Sequence, residues 1–125
     1  MRSEARKSRA QVANTYLPKM LQMLVALKWQ QFNINKSLGL VQYDNPYPSP
    51  PGDIEVPGNW YAELLWLAHH KTLLPDTCRV AAGALEGIES WNSIVDDYEA
   101  ATSALSSLIA SIEKLVALLE EQSAG

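Results

Sequence analysis

"AAGALEGIESWNSIVDDYEAATSALSSLIASIEKLVALLE", residues 81–120, decides the fold. Ala81, Ala84, Ile88, Trp91, Val95, Tyr98, Thr102, Leu105, Ile109, Ile112, Val116 and Leu119 follow one another in alternating steps of three and four. Only an α-helix brings residues so spaced onto one face, because each residue advances it by about 100°. A straight helix over residues 76–120 would run about 65 Å, long for a domain of this size. Ser93 stands three residues before Asp96 in a capping-box pattern, and Gly83 and Gly87 weaken the preceding turns. The stretch therefore predicts two packed helices with a break near Ser90–Ser93.

Upstream, "LLPDT" (73–77) interrupts the apolar pattern, with Asp76 or Thr77 available to cap the next helix. Before it, "NWYAELLWLAHH" (59–70) offers Asn59 as an N-cap and Glu63 in the first turns. This segment is apolar nearly all round, which predicts a largely buried helix. "YDNPYPSPPGDIEVPGN" (43–59) holds five of the seven prolines. Proline lacks an amide donor and fixes φ, so this stretch joins neither a helix nor a central strand. Its Tyr43, Tyr47, Ile54 and Val56 supply apolar anchors, so it is expected to be an ordered crossover.

The first 40 residues again show helical spacing, through Val12, Tyr16, Met20, Met23 or Leu24, Leu27, Ile34 and Leu38. Pro18 predicts a kink or a helix start near Thr15–Pro18, and Gly39 a stop. With no strand pattern, the chain reads as all-α: a four- to five-helix bundle with a long proline-rich connection. Residues 1–125 form one helical domain in this reading. A basic helix spans 1–40, kinked near Pro18; a proline-rich ordered loop spans 43–59; the remaining helices span 60–121.

Charge divides this domain. Residues 1–40 carry seven basic side chains (Arg2, Arg6, Lys7, Arg9, Lys19, Lys28 and Lys36) against the single acid Glu4, a balance of +6. The remainder carries three basic side chains against thirteen acids, a balance of −10. Arg2, Arg6 and Arg9 share one helical face with Lys7 beside it, and Lys28 and Lys36 extend the basic element among Gln30, Gln31, Asn33 and Asn35. Cations at helical spacing can follow a phosphate backbone. No base-reading fingerprint is present, so contact would be independent of sequence. The alternatives are a solvated basic face, a basic helix lying against acidic ones, or head-to-tail self-association.

Other chemistry is thinly represented. Glu86, Glu89, Asp96 and Glu99 resemble the paired acids of Mg²⁺-dependent nucleotide pyrophosphohydrolases. Those enzymes draw the pairs from facing helices, and the short spacing between Glu89 and Asp96 prevents that here. Adjacent His69 and His70 point about 100° apart and do not share a metal easily. Cys78 is a lone cysteine without an evident base, which excludes an intramolecular disulfide and makes a reducing cytoplasm the default. No catalytic role, metal or other cofactor is expected. The Arg- and Ser-rich start faintly resembles an organelle transit peptide, against which Glu4 and the absence of a cleavage pattern argue. No uninterrupted apolar run approaches the roughly 20 residues that cross a bilayer, so no membrane contact is expected.

Charged residues make up only 19% of the chain, and "AATSALSSLIASI" (100–112) has none. Small, weakly polar residues on the outer side of a helix permit close approach of another protein surface. The combination of small size, helicity, "MRSEARKSRAQ", the Lys28–Lys36 surface and the late apolar seam resembles the helical small subunits of CRISPR effector complexes. That resemblance implies a non-catalytic subunit of a cytoplasmic nucleoprotein complex. It would touch nucleic-acid backbone through Arg2, Arg6, Lys7, Arg9, Lys28 and Lys36, and other subunits or copies of itself through its C-terminal helices. The alternative is a helical adaptor or oligomerisation protein that binds no nucleic acid, and a third reading, behind both, is a Mg²⁺-dependent nucleotide pyrophosphohydrolase.

Overall fold

A computed structural model describes residues 2–50, 57–94 and 96–124, apart from the side chains of Arg2, Ser3, Ala5 and Asn92. The described residues form four α-helices and no strand: α1 (Arg2–Ser37), α2 (Tyr61–Ala68), α3 (Pro75–Ile94) and α4 (Tyr98–Ala124). A short 3-10 turn, Gly58–Trp60, leads into α2. This is the all-α bundle that the spacing predicts. One buried cluster draws on all four helices, with Met20, Met23, Leu27, Leu64, Leu67, Leu105, Ile112, Leu115 and Leu119 at its centre.

α1 passes through Pro18 without a break. An interior proline removes one helical hydrogen bond, at a cost of about 3 kcal/mol. Apolar burial on both sides of it, at Ala13, Met20, Met23 and Leu27, offsets that loss. The stop at Gly39 is as expected. Gly39 has φ of +77°, and its amide donates to the Lys36 carbonyl while the Leu40 amide donates to that of Asn35. That pair of bonds is a Schellman cap, which needs a residue tolerant of the left-handed region.

α1 and α4 run antiparallel. Gln31 and Asn35, near the end of α1, meet Thr102 and Ser106, near the start of α4. The remaining length of each helix then lies along the other. At the opposite end, Gln122 of α4 is buried and ties down the start of α3. Its Nε2 donates to Thr77 Oγ1 at 2.6 Å and to the Leu118 carbonyl at 3.0 Å, while its Oε1 accepts from the Leu74 amide at 3.2 Å. Thr77 therefore does not cap α3. The Leu74 carbonyl accepts from Thr77 and Cys78, and Pro75 takes the first helical position, where a missing N–H costs little.

The late seam is confirmed in large part and its break is displaced. Ala81, Ala84, Ile88, Trp91, Leu105, Ile109, Ile112, Val116 and Leu119 are buried, Thr102 is half-buried and Tyr98 is exposed. Val95 lies outside the described residues. α3 continues to Ile94 because the two serines expected to end it turn back onto the helix. Ser90 Oγ donates to the Glu86 carbonyl and Ser93 Oγ to that of Ser90, each at 2.7 Å. The cap belongs to Asp97, whose Oδ1 accepts from the Ala100 amide at 3.2 Å.

Two further expectations fail in the middle of the chain. Asn59 lies in the 3-10 turn, and α2 begins at Tyr61 with no side-chain cap. α2 buries only Leu64 and Leu67; Trp66 is 65% exposed, and Leu65 and Tyr61 also face outward. The crossover is fastened by a polar residue more than by its aromatics. Asn45 Nδ2 donates to the Trp29 carbonyl (2.9 Å) and to Asn33 Oδ1 (3.0 Å), and Asn45 Oδ1 accepts from the Tyr47 amide (3.0 Å). Tyr43 packs edge-on against Phe32, and Pro57 is fully buried. Ile54 and Val56 lie outside the described residues.

Candidate nucleic-acid interface

α1 carries all six cations singled out by sequence, and its geometry separates them into two groups. Arg6, Ala13, Met20, Leu27 and Ile34 recur every seven residues, so Arg6 continues the core-facing stripe one heptad beyond Ala13. It is nevertheless exposed, as is Lys7. With Thr102 opposite Gln31 and Asn35, equal rise along both helices brings Ala124 level with about residue 11 of α1. Arg6 and Lys7 lie beyond that level. Arg9, just before Ala13, is half-buried, and its Nε is buried with no hydrogen-bond partner among the described residues. The side chain of Arg2 is outside the described residues.

The second group lies about 28 Å further along the axis, as 19 residues separate Arg9 from Lys28. Lys28 points about 100° and Lys36 about 180° away from Arg9 around the helix. Among the cations whose side chains are described, exposed Arg6 and Lys7 therefore stand with half-buried Arg9 at one end, and Lys28 and Lys36 occupy two separate positions near the other. Between described residues the ion pairs include Lys36 with Asp44 (3.4 Å) and Arg79 with Asp76 (3.1 Å), and none involves Arg6, Lys7 or Lys28. The Lys36 pair is exposed, and such pairs are worth at most about 1 kcal/mol, so Lys36 can exchange Asp44 for another anion. Lys19 is placed over the Tyr16 ring, 5.6 Å from its centroid.

The amides beside Lys28 serve the fold first. Gln31 Nε2 donates to the Thr102 carbonyl at 3.0 Å and to Ser106 Oγ at 2.7 Å. Asn35 Oδ1 accepts from Thr102 Oγ1 at 2.6 Å. These bonds hold Gln31 and Asn35 in place at the edge of a cleft of about 260 Å³, lined also by Lys28, Phe32, Tyr47 and Ile109. Tyr47 enters it from the crossover that Asn45 fastens. Sequence reading missed Asn45; its signal was an Asn two residues before Tyr47 in a proline-rich turn, a setting in which Asn commonly bonds nearby backbone.

The remaining candidates stay apart. Glu86, Glu89, Asp96 and Glu99 are all exposed, and no group of three or more His, Cys, Asp or Glu residues is arranged to hold a metal among the described residues. Glu89 Oε1 accepts from the Tyr61 hydroxyl at 3.2 Å, and this bond to a carboxylate raises the Tyr61 pKa above its ordinary value. His69 caps the end of α2, and His70 Nδ1 accepts from the Thr72 amide at 3.4 Å. Cys78 Sγ donates to the His70 carbonyl, and burial pushes its thiol pKa up, opposite to what an activated nucleophile needs.

The charge-free stretch of α4 is partly accounted for within the chain. Ala104, Ser107 and Ser111 face Gly83, Gly87 and Ser90 of α3 across a shallow trough of about 180 Å³. The small side chains leave this trough open, and a Cβ placed on Gly83 would meet nothing within 4 Å. α4 is long and apolar enough to cross a membrane by length and composition, yet it buries Ala101, Leu105, Leu108, Ile112, Leu115 and Leu119 in the bundle core. The chain matches no protein-family model, no curated protein and no solved structure.

Proposed function

We propose that this chain is a non-catalytic helical subunit of a nucleoprotein assembly, holding nucleic-acid backbone through α1 and neighbouring subunits through α3 and α4. The observation that carries this reading is the set of cations without carboxylate partners among the described residues: Arg6, Lys7 and Lys28 on one helix of an otherwise acidic chain. Arg2, Arg9 and Lys36 complete the interface. The resemblance to CRISPR effector small subunits supports this reading, since it implies a non-catalytic subunit of a nucleoprotein complex that contacts nucleic acid through basic residues. The subunit-facing surface is the Ala- and Ser-rich outer side of α4, and copies of the same chain are natural neighbours for it.

Backbone binding releases counterions, so affinity should fall steeply with salt. Arg6→Glu combined with Lys7→Glu, both exposed, is expected to leave the melting temperature nearly unchanged, since surface changes cost little. The pair should weaken nucleic-acid binding and lower the slope of log K against log salt by about 2. Fluorescence anisotropy with a labelled oligonucleotide across a salt series measures both. No detectable binding at low salt rejects the reading.

A helical adaptor without nucleic-acid contact is the second reading. It rests on apolar surface left in solvent: Trp66 and Leu65 on α2, and an apolar groove of about 520 Å³ formed by Leu21, Val25, Pro48, Pro50 and Trp60. Patches of this kind mark protein contacts. Co-purification of protein partners after nuclease treatment would favour it.

A further inference from the structure

The cleft beside Lys28 has a chemistry that the cations alone do not. Lys28, Gln31, Phe32 and Asn35 fall at i, i+3, i+4 and i+7, so they share one face of α1. Tyr47 faces them across the cleft, and Ile109 of α4 completes its lining. No carboxylate is among these residues. Among the described residues the Lys28 ammonium has no ion pair, and Asn35 has committed its Oδ1 to Thr102, which leaves its Nδ2 hydrogens without a partner there. The polar side of the cleft therefore offers the Lys28 ammonium and the Asn35 Nδ2 hydrogens as donors to an anion, beside the Oε1 acceptor that Gln31 keeps.

The cleft is aromatic as well as polar, with Tyr47 opposite α1. Phe32 lines the cleft, and the Tyr43 ring meets Phe32 edge-on, with centroids 5.2 Å apart and planes at 61°. Tyr43 is 63% exposed, so a face of its ring remains open to solvent. The strap that carries both tyrosines is fixed in advance by the three hydrogen bonds of Asn45. Preset aromatic faces beside a cation are how sequence-tolerant sites hold unpaired bases, by stacking the base while the cation meets its phosphate. A paired duplex keeps its bases stacked inside and offers none to such a face.

We propose that this cleft holds one nucleotide of a single strand, with its phosphate at Lys28 and Asn35 and the neighbouring base stacked on Tyr43. The proposal rests on the nucleic-acid reading of α1 and narrows it from backbone in general to unpaired strand, either DNA or RNA.

The test is fluorescence anisotropy at low salt with labelled oligo-dT, oligo-U and a blunt duplex of equal length. Single strands are expected to bind more tightly than the duplex, and the dT and U arms tell which sugar is preferred. Tyr43→Ala should weaken single-strand binding about 5- to 100-fold, while Tyr43→Phe keeps the ring and retains affinity. Lys28→Gln should lower the salt slope by about 1. Circular dichroism melting of each variant separates lost binding from lost folding. Equal affinity for duplex and single strand, or a folded Tyr43→Ala variant with unchanged affinity, overturns the single-strand assignment and leaves backbone binding standing. Failure of every oligonucleotide to bind overturns both.

Discussion

α2 and α4 are both apolar helices, and they meet opposite fates. α4 buries eight apolar side chains from Ala101 to Leu119 along a continuous stripe, while α2 buries two and leaves Trp66 and Leu65 in solvent. The difference lies in arrangement. Past Tyr98, α4 confines its large apolar residues to positions that face α1 and α3 and puts Ser, Ala and charge elsewhere. α2 has large apolar residues on every side, and a helix of eight residues packed on one flank cannot hide them all. Apolar content alone does not determine burial; the period must match the number of neighbours.

That contrast can be broken most directly at Leu105. Leu105→Ala should destabilise the bundle by about 2–5 kcal/mol, as a truncation of a fully buried side chain, read by urea or thermal unfolding. Next is Gln122→Ala, which leaves the Thr77 hydroxyl and the Leu74 amide without their partner and should cost about 1–3 kcal/mol. A cost near zero would show that water replaces Gln122 freely and that this end of α4 is looser than its burial implies. Gly39→Ala places a Cβ on a residue with φ of +77° and should cost about 1–2 kcal/mol. Smallest of all, Trp66→Ala should change stability by no more than about 0.5 kcal/mol. If it costs as much as Leu105→Ala, α2 is packed in solution against something and the contrast with α4 disappears.

The same contrast explains what was legible in the sequence. Helical class, the stop at Gly39 and most of the late seam follow from local rules of spacing and handedness, and they hold. The break predicted at Ser90–Ser93 moved to Asp97 because a serine hydroxyl can cap a helix or bond back into it, and sequence alone does not choose. The exposure of Trp66 depends on how many elements reach α2, a tertiary fact. At the candidate site, the cations and their spacing were visible in the sequence, but the exposure of Arg6 and Lys7 on the core-facing side required the level at which α4 ends. The role of Asn45 was hidden because its partners, Trp29 and Asn33, lie on a helix 12 to 16 residues away.

The pairing of α1 with α4 bears on the order in which this molecule assembles. Gln31 meets Thr102 at a separation of 71 residues along the chain, whereas α3 and α4 are neighbours in sequence and Asp97 caps the start of α4. Closing a long loop is slow relative to closing a short one, and its entropy is lost before its contacts form. The α3–α4 hairpin is therefore expected to form first and to serve as the template on which α1 docks. Native-state hydrogen exchange should show α1 opening at lower free energy than α4. The helix that carries the candidate interface would then also be the one most readily lifted from the bundle, and the hold on a strand proposed for it would be coupled to the last step of folding.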